Sequence, residues 1–374
     1  MSSSVRYPTV AEIHLPSFQK NIKALKKLTD PALLMAVVKT NAYGHGLVQM
    51  SEASVQAGAD RLGVSTVEEG IRLREQGIRL PIHLLSAIVP QHVPTVVDYK
   101  LIPSVSSTKM AIALSEEARR QKKDLCLHLK IDTGLHRFGC SPAEALSICQ
   151  ACFHLPYVTW EGIYTHFSRA DEGDWHMTEK QFTLFQQTVT MLEEHGFYFP
   201  IHHVGGSTVA IEREDMHLNM VRPGISLFGY YPHSRQQQTV TLQPVLTLKT
   251  KIVHCVHLPP RNPVGYGGHY VTKKDETIAI LPIGHGDGYQ RRLSNKGEVL
   301  VNGKRAPIVG MISLDQTMID VTHIPNVSVG DDVVLIGTMD AEEIMTYDVA
   351  RWMGSIVDEV TSSLTERILR QYLK

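Results

Sequence analysis

The sequence predicts an α/β fold in which a (β/α)8 TIM barrel is followed by a mostly β-strand domain. Strand-length apolar runs alternate with helix-period segments through the first part of the chain, which is typical of this barrel. After about residue 238 the alternation gives way to short strands separated by proline and glycine turns. The 374 residues suffice for both parts. We expect the barrel at 14–238 and the second domain at 1–13 and 239–374.

The apolar runs are continuous rather than alternating, which suits parallel strands that are buried on both faces. The first helix is predicted from Phe18, Ile22 and Leu25, which share one helical face, with Ser17 as its N-cap. A doubly wound open sheet is the alternative, although no G-x-G-x-x-G follows the first strand. The eight predicted strands are 33–39, 62–65, 82–86, 101–105, 125–131, 158–165, 200–204 and 220–228.

Two features outline the second domain. Asn302-Gly303 lies between the apolar segments VLV and KRAPIVG, which is a strong signal for a two-residue β-hairpin. The opening TVAEIHL alternates like a half-buried strand and precedes the first barrel helix. We therefore expect this strand to join the second domain rather than the barrel.

Composition and charge exclude several functional classes. The chain carries 37 Lys and Arg against 38 Asp and Glu, which argues against a broad nucleic-acid surface but permits a small basic pocket. No apolar run approaches the length of a membrane span, and the N-terminus lacks the apolar stretch of a secretory signal, so we expect a cytoplasmic protein. Five cysteines include the C-x-x-C of Cys149 and Cys152, which we interpret as a buried helix face, and no metal is predicted.

The active site of such a barrel lies at the carboxyl ends of its strands. Lys39 closes the run LLMAVVK and opens the loop TNAYGHG. A lysine in this position either reaches solvent or is a partly desolvated amine of lowered pKa, which is suited to forming a Schiff base. From the position alone, a lysine that reaches solvent is the slightly commoner case.

Other reactive side chains follow later strands. Lys130 and Arg137 lie at the end of the fifth strand and His166 follows the sixth, where solvated ion pairs or a structural histidine are also common. HVGGST follows the seventh strand, and its glycines, the Ser207 hydroxyl and a helix N-terminus could receive an anion, although Gly-Gly is usually only a turn. RPGIS ends the eighth, and barrels often bind phosphate after strands seven and eight. Together with Lys39, these motifs point to pyridoxal 5'-phosphate.

Six motifs resemble those of the bacterial alanine racemases, in the same order and at similar spacing. They are AVVKTNAYGHG, KIDTGLHR, YTHFS, HVGGS, RPGIS and VGYGGHY, and the first is highly specific. The resemblance runs from about residue 9 to 320 and more loosely to the C-terminus. It implies a (β/α)8 barrel with a β domain and a head-to-tail homodimer, in agreement with the pattern read from the sequence.

The resemblance also implies which residues hold the cofactor. Lys39 matches the lysine that binds pyridoxal phosphate covalently. The hydroxyls of Tyr43 and Ser207 and the backbone N–H groups of Gly224 and Ile225 match the phosphate-binding positions.

Further roles follow from the same resemblance. Arg222 matches the arginine that faces the pyridine nitrogen, and a permanent cation there disfavours protonation of that nitrogen. His166 matches a histidine beside the ring, and Arg137 an arginine near the substrate carboxylate. Lys130 matches a lysine that is carbamylated in some members, where it fixes that arginine. Tyr266 matches a tyrosine that one subunit supplies to the other as the second acid/base opposite Lys39, although from its glycine-flanked position alone a turn aromatic is the commoner interpretation.

Some positions depart from the family pattern. His285 replaces a tyrosine that usually lines the entrance, and Leu314 replaces a methionine whose backbone N–H is the expected donor to the substrate carboxylate. Ser313 stands where cysteine is common, and Gly206 replaces a frequent asparagine. The C-terminus lacks the usual R-V-P-R ending. These changes bear on the entrance and the substrate size more than on the reaction.

The implied function is alanine racemase, which interconverts L-alanine and D-alanine by a two-base mechanism and supplies D-alanine for peptidoglycan. The alternative is a broader amino-acid racemase acting on serine or basic side chains. A pyridoxal-phosphate decarboxylase would lack AVVKTNAYGHG, and a cofactor-carrying barrel without turnover would be shorter and lack the β domain that bears Tyr266. No nucleic-acid or membrane partner is expected.

Overall fold

The computed structural model describes residues 8–232 and 234–374, and the chain forms two compact units. The barrel unit comprises Ser17–Ala42 and Leu47–Pro244. The β unit comprises residues 8–16 of the described chain, the segment Tyr43–Gly46 and Val245–Lys374. Within the described part of the chain, no helix has the length and apolar character needed to cross a bilayer.

The barrel unit contains eight parallel strands, which confirms the predicted fold class. Strand β1 (Val10–His14) belongs to the β unit. From the first barrel strand to the seventh, each pairs with its sequence neighbours, and the first also pairs with the eighth through Leu33 and Met220. The amide of Asn219 donates to the carbonyl of His202 at 3.1 Å, which links the remaining two edges. The barrel strands are β2 (Leu33–Val37), β3 (Arg61–Val64), β4 (Ile82–Leu84), β5 (Ile102–Val105), β6 (Leu125–Lys130), β7 (Val158–Tyr164), β8 (Ile201–His203) and β9 (Met220–Val221).

Helices alternate with these strands, and several begin at a polar cap. Thr66 and Ser141 each form a capping box with a glutamate three residues later, which satisfies amides that a helix start leaves unpaired. Ser17 is not an N-cap as predicted, because the first helix begins at Leu15 and proline occupies its first turn, where a missing N–H costs nothing. The barrel helices are α1 (Leu15–Leu28), α2 (Lys39–Tyr43), α3 (Leu47–Gln56), α4 (Val67–Glu75), α5 (Val93–Asp98), α6 (Thr108–Gln121), α7 (Pro142–Cys152), α8 (Trp175–Glu194) and α9 (Ser207–Glu212).

Among its described residues, the β unit contains three sheets and the α-helices α10 (Thr346–Met353) and α11 (Val357–Ser362). The largest sheet has the order β16-β15-β18-β10-β1-β20, with β19 beside β18, and the others have the orders β11-β14-β17 and β12-β13. The predicted hairpin is confirmed, because β15 and β16 pair across Asn302 and Gly303, which both have positive φ. The remaining strands are β10 (Leu246–Lys251), β11 (His254–Leu258), β12 (Pro263–Val264), β13 (Tyr270–Val271), β14 (Glu276–Leu281), β15 (Glu298–Val301), β16 (Lys304–Pro307), β17 (Thr317–Asp320), β18 (Asp332–Met339), β19 (Glu342–Ile344) and β20 (Leu369–Leu373).

The C-terminal strand explains why the short segment Tyr43–Gly46 belongs to the β unit. Arg370 of β20 donates from Nε to the carbonyl of Gly44 at 3.1 Å. The hydroxyl of Tyr372 donates to the carbonyl of His45 at 3.2 Å. A Cβ at Gly44 would overlap the carbonyl of Thr361, so only glycine permits this approach.

Candidate active site

Lys39 opens a turn of unusual backbone conformation. The barrel strand β2 ends at Val37, and α2 has left-handed dihedral angles throughout its later residues. Left-handed conformation costs an L-residue about 1–2 kcal/mol, so a run of such residues needs outside support and is typical of functional sites. The residues with positive φ are Thr40, Asn41, Ala42 and Tyr43, at 55°, 52°, 53° and 52°.

Glu69 of α4 supplies part of that support. Its carboxylate accepts the amide of Asn41 at 3.0 Å and the amide of Ser65 at 3.0 Å. The Asn41 side chain in turn accepts the amide of Leu47 at 2.8 Å, at the start of α3. Glu69 therefore ties the turn after Lys39 to the end of the neighbouring strand. We did not single out Glu69 from the sequence, although the capping-box pattern T-V-E-E was visible.

Arg222, which is 5% exposed, follows the last barrel strand and is held from several sides. Its guanidinium donates to Nδ1 of His203 at 2.7 Å, to the carbonyl of Thr165 at 2.9 Å and to that of Val204 at 3.0 Å. Burial lowers the pKa of Arg222 to about 10, so the side chain stays cationic at neutral pH. Among the described residues no acceptor pairs with its Nε–H, which leaves a donor for a bound group.

His166 marks the point on which the predicted cationic residues converge. Arg222 donates to its Nδ1 at 3.3 Å. Burial, and then the positive charges of Arg222, Lys130, Arg137 and Lys39, hold the pKa of His166 well below its usual range. The imidazole is therefore neutral at pH 7. The structure thus brings the four predicted basic residues within electrostatic reach of His166.

Lys130 is 2% exposed and lies against an aromatic ring. Its Nζ lies 4.9 Å from the centroid of the Tyr164 ring, and Cζ of Arg222 lies 5.3 Å from the same centroid. Burial and the charge of Arg222 lower the pKa of Lys130 to about 7. A substantial fraction of this amine is therefore unprotonated at neutral pH. Arg137 is exposed in the loop after β6, where its charge also acts on Lys130.

The ends of β8 and β9 form a small polar cradle. The hydroxyl oxygen of Ser207 accepts the amides of Gly224 at 3.0 Å and Ser226 at 3.3 Å, and it receives the hydroxyl of Ser226 at 3.0 Å. Ile225, a half-buried residue, lies between those two amides in the chain. A Cβ at Gly206 would lie 3.6 Å from Cε1 of His166, so this glycine leaves space beside the imidazole. We did not predict Ser226, because a serine inside RPGIS carries no distinct signal.

Three predicted residues belong to the β unit. Tyr43 is buried and continues the left-handed turn. Tyr266 is 73% exposed and lies in the turn between β12 and β13, where Gly265 has a φ of 72° that favours glycine. Leu314 is 55% exposed, and its carbonyl accepts the amide of Gly286 at 2.8 Å. Among the described residues no acceptor pairs with the Leu314 amide, so it can serve a ligand.

One cluster inside the barrel has the spacing of metal ligands. Ligand atoms of His83, His128 and Glu161 lie within 4.8 Å of one another. The guanidinium of Arg61 already makes two hydrogen bonds to Glu161, at 2.7 and 2.8 Å, and contacts Nε2 of His83 at 3.2 Å. Arg61 therefore supplies the positive charge that a metal ion would bring, and we assign no metal to this cluster.

Comparisons with known proteins agree with this geometry. The family profiles described as alanine racemase N-terminal domain and alanine racemase C-terminal domain match residues 13–232 and 245–372. The chain is 39% identical over 373 residues to the alanine racemase of Halothermothrix orenii, covering 100% of this chain and 98% of that protein. A solved alanine racemase of Clostridium difficile 630 superposes with a TM-score of 0.95 at 33% identity, covering 99% of this chain and 97% of that one. A histidine racemase of Leuconostoc mesenteroides is also similar, with a TM-score of 0.90, 29% identity and 99% coverage of each chain.

Proposed function

Since the chain belongs to the alanine racemase family, we propose that it interconverts L-alanine and D-alanine with pyridoxal phosphate as its cofactor. Members of this family are isomerases that depend on pyridoxal phosphate. The observation that carries the proposal is the convergence of four basic side chains on neutral His166 at the carboxyl ends of the barrel strands. Such a pocket suits a ligand with a phosphate, a pyridine nitrogen and a carboxylate.

The residues present fit pyridoxal phosphate. In the cradle, the Ser207 oxygen accepts the amides of Gly224 and Ser226, which leaves the hydrogen of its hydroxyl as a donor to a phosphate. The Gly224 amide would serve the phosphate by exchanging Ser207 for it. In the described part of the chain no acceptor takes the Nε–H of Arg222, which can therefore face the pyridine nitrogen. Lys39 lies close enough to affect His166 electrostatically and would hold the aldehyde covalently. We further propose Tyr43 and the amide of Ile225 as phosphate ligands.

When bound, pyridoxal phosphate takes up the substrate's amino group and withdraws electrons from the α carbon, which acidifies its proton. The protein must then remove that proton from one face and return one to the other. We propose that Lys39 serves one face, with its neutral amine as the base and its ammonium as the acid. Arg137 and the amide of Leu314 would orient the substrate carboxylate, so that the α C–H bond points at Lys39.

Tyr266 would serve the opposite face, as a phenol donated by a second copy of the chain. Its high exposure, in a turn whose glycines have positive φ, supports this role, because an exposed tyrosine can enter the site of a partner. We therefore propose a homodimer whose active sites are shared between subunits. Lys130 would be carbamylated, since only an unprotonated amine adds carbon dioxide and this one is largely unprotonated slightly above pH 7.

We place the reaction in the cytoplasm and its product in peptidoglycan synthesis. All five cysteines are free thiols, which supports a reducing compartment. His285 is exposed where the family usually has an entrance tyrosine, which bears on the side chains that can enter.

The test is incubation of the purified protein with each of a panel of L-amino acids, including serine, lysine and histidine, in D2O with added pyridoxal phosphate. We expect L-alanine to be converted fastest and D-alanine to appear with deuterium at the α carbon. Faster conversion of serine, lysine or histidine would overturn the substrate assignment. Deuterium exchange without inversion would overturn the two-base mechanism, because such exchange needs proton transfer on one face of the α carbon only.

A further inference from the structure

A chain of hydrogen bonds crosses the interior of the barrel from Arg222 to Glu161. Arg222 donates to Nδ1 of His203 at 2.7 Å. Nε2 of His203 lies 2.8 Å from Nδ1 of His128, and Nε2 of His128 lies 3.0 Å from Oε2 of Glu161. The chain thus connects a residue of the candidate site to a carboxylate further towards the amino ends of the strands.

Side-chain packing does not explain why this chain of hydrogen bonds is present. The interior of a (β/α)8 barrel is filled in layers by side chains from alternate strands, and branched apolar residues dominate those layers. Here the alternate strands β4, β6 and β8 contribute His83, His128 and His203, each no more than 2% exposed. Apolar residues would fill the same space without the cost of desolvating imidazoles. His128 and His203 instead pair with each other and, through His203, with Arg222.

The donors and acceptors in this chain of hydrogen bonds can be assigned in only one way. A guanidinium has no acceptor, so Nδ1 of His203 must present a lone pair to Arg222. His203 then carries its hydrogen on Nε2 and donates it to Nδ1 of His128. His128 likewise carries its hydrogen on Nε2 and donates it to Glu161. Burial lowers the pKa of both histidines, in keeping with one hydrogen on each ring.

Glu161 ends the chain as an acceptor only. Burial opposes its ionisation, but hydrogen bonds from His128 and Arg61 prevail and lower its pKa to about 2. The two bonds from Arg61 involve both carboxylate oxygens, whereas His128 donates to Oε2 alone. The carboxylate is therefore ionised, and fixed in orientation, throughout the neutral range.

We propose that Glu161 is a positioning residue, which fixes the tautomers of His128 and His203 and through them holds the guanidinium of Arg222 in a single orientation. The inference rests on the proposed function only in the role given to Arg222, namely its contact with the cofactor's ring nitrogen. The tautomers themselves can be measured without any turnover, so a failure of this inference and a failure of the proposed function are distinguishable.

The first test is ¹⁵N NMR of the full-length protein with labelled histidine and bound pyridoxal phosphate, with signals assigned by single His→Gln substitutions. We expect His128 and His203 to be neutral and protonated on Nε2 between pH 6.5 and 8.5. His83 serves as an internal contrast, because Arg61 donates to its Nε2 and its hydrogen must lie on Nδ1. An Nδ1–H or doubly protonated form of His203 overturns the proposal, and this result needs no variant at Glu161.

Two variants separate positioning from a purely structural ion pair. In Glu161→Gln we expect the amide oxygen to take the place of Oε2, which receives hydrogen bonds from both Arg61 and His128. The NH2 group then takes the place of Oε1, where it faces only one donor, Arg61. His128 keeps its acceptor, and we expect wild-type tautomers. In Glu161→Met the acceptor is lost, and Arg61, whose NH1 approached the same oxygen, would donate to Nε2 of His128. The tautomers of both histidines then invert, which turns an N–H of His203 towards Arg222.

Racemisation assays of the same proteins provide the second readout. We expect kcat to fall at least about tenfold in Glu161→Met, since Arg222 loses its acceptor on His203 and meets an N–H there instead, and to stay within about threefold of wild type in Glu161→Gln. Rescue by glutamine is the decisive contrast, because an ion pair with Arg61 is lost in both variants. Equal losses in the two variants, or unchanged tautomers in a folded Glu161→Met protein, would show that Glu161 acts only through that ion pair. If Glu161→Met does not fold, an Nδ1–H or doubly protonated His203 in the wild type still overturns the proposal.

Discussion

Replacement of Lys130 by methionine removes a buried amine whose charge the barrel interior disfavours. Its pKa falls from 10.5 to about 7 on folding, through burial and the charge of Arg222. At about 1.4 kcal/mol per unit, this shift corresponds to a penalty of up to about 5 kcal/mol when the amine is protonated in the folded state. Methionine has a similar length and no charge, so we expect Lys130→Met to unfold at higher urea concentration than the wild type at pH 7.

The pH dependence has a definite sign. Below pH 7 both the folded and unfolded wild type hold the proton, and the penalty is full. Between pH 7 and 10.5 the folded state releases the proton while the unfolded state keeps it, so wild-type stability rises with pH. The advantage of Lys130→Met should therefore shrink by about 1.4 kcal/mol per pH unit, or about 2 kcal/mol between pH 7.5 and 9.0.

The assay is urea unfolding of both proteins at three pH values in buffers freed of carbon dioxide, followed by circular dichroism. Lys20→Met, which removes an exposed lysine of α1, is the control, and its curves should run parallel to those of the wild type. A gap between wild type and Lys130→Met that does not change with pH would refute the reasoning. Added bicarbonate should stabilise the wild type and not Lys130→Met, because only the wild type can form a carbamate at this position.

Three further substitutions test the site. Lys39→Ala should lose the visible absorbance of lysine-bound pyridoxal phosphate, and an unchanged spectrum would exclude Lys39 as the anchor. Ser207→Ala should weaken binding of pyridoxal phosphate to the apoprotein about tenfold or more in a fluorescence titration, since a hydrogen bond to a charged group contributes about 1.5–3 kcal/mol; unchanged affinity would remove Ser207 from the cradle. Tyr266→Phe should retain that absorbance but lower kcat/KM about 100-fold or more in both directions, because the two enantiomers have equal free energies. Loss of the α-hydrogen to solvent should persist only with the enantiomer that Lys39 deprotonates, and full racemase activity would refute the role of Tyr266.

The barrel could be predicted because each of its strands is a short, continuous apolar run. The strands β2 to β9 all fall within the runs read from the sequence or within one residue of them. The prediction of Ser17 as an N-cap was wrong, because a serine two residues after the start of a helix looks the same in the sequence as a serine that precedes it. The start of a helix depends on which nearby residue best tolerates the unpaired amides of the first turn, and here the helix begins earlier because proline occupies that turn.

The support of the site was much harder to predict than its reactive residues. Lys39 and Arg222 follow strands in recognisable motifs, whereas Glu69 acts across 28 positions on the amide of Asn41. The histidine chain depends on the register of four strands, which a single sequence does not specify. A weak signal existed, since IHLL, LHLK and IHHV each place a histidine within an apolar run. An imidazole in that setting is a buried polar group that needs a partner.

Each active site is proposed to combine Lys39 of one subunit with Tyr266 of the other. Mixing Lys39→Ala and Tyr266→Phe proteins, unfolding them together and refolding them tests this directly. Random pairing of two subunits gives mixed dimers with one intact site, so we predict recovery of about a quarter of the activity of wild type treated in the same way. Activity no higher than that of the two variants refolded separately would contradict a shared site and would place both acid/base groups on one chain.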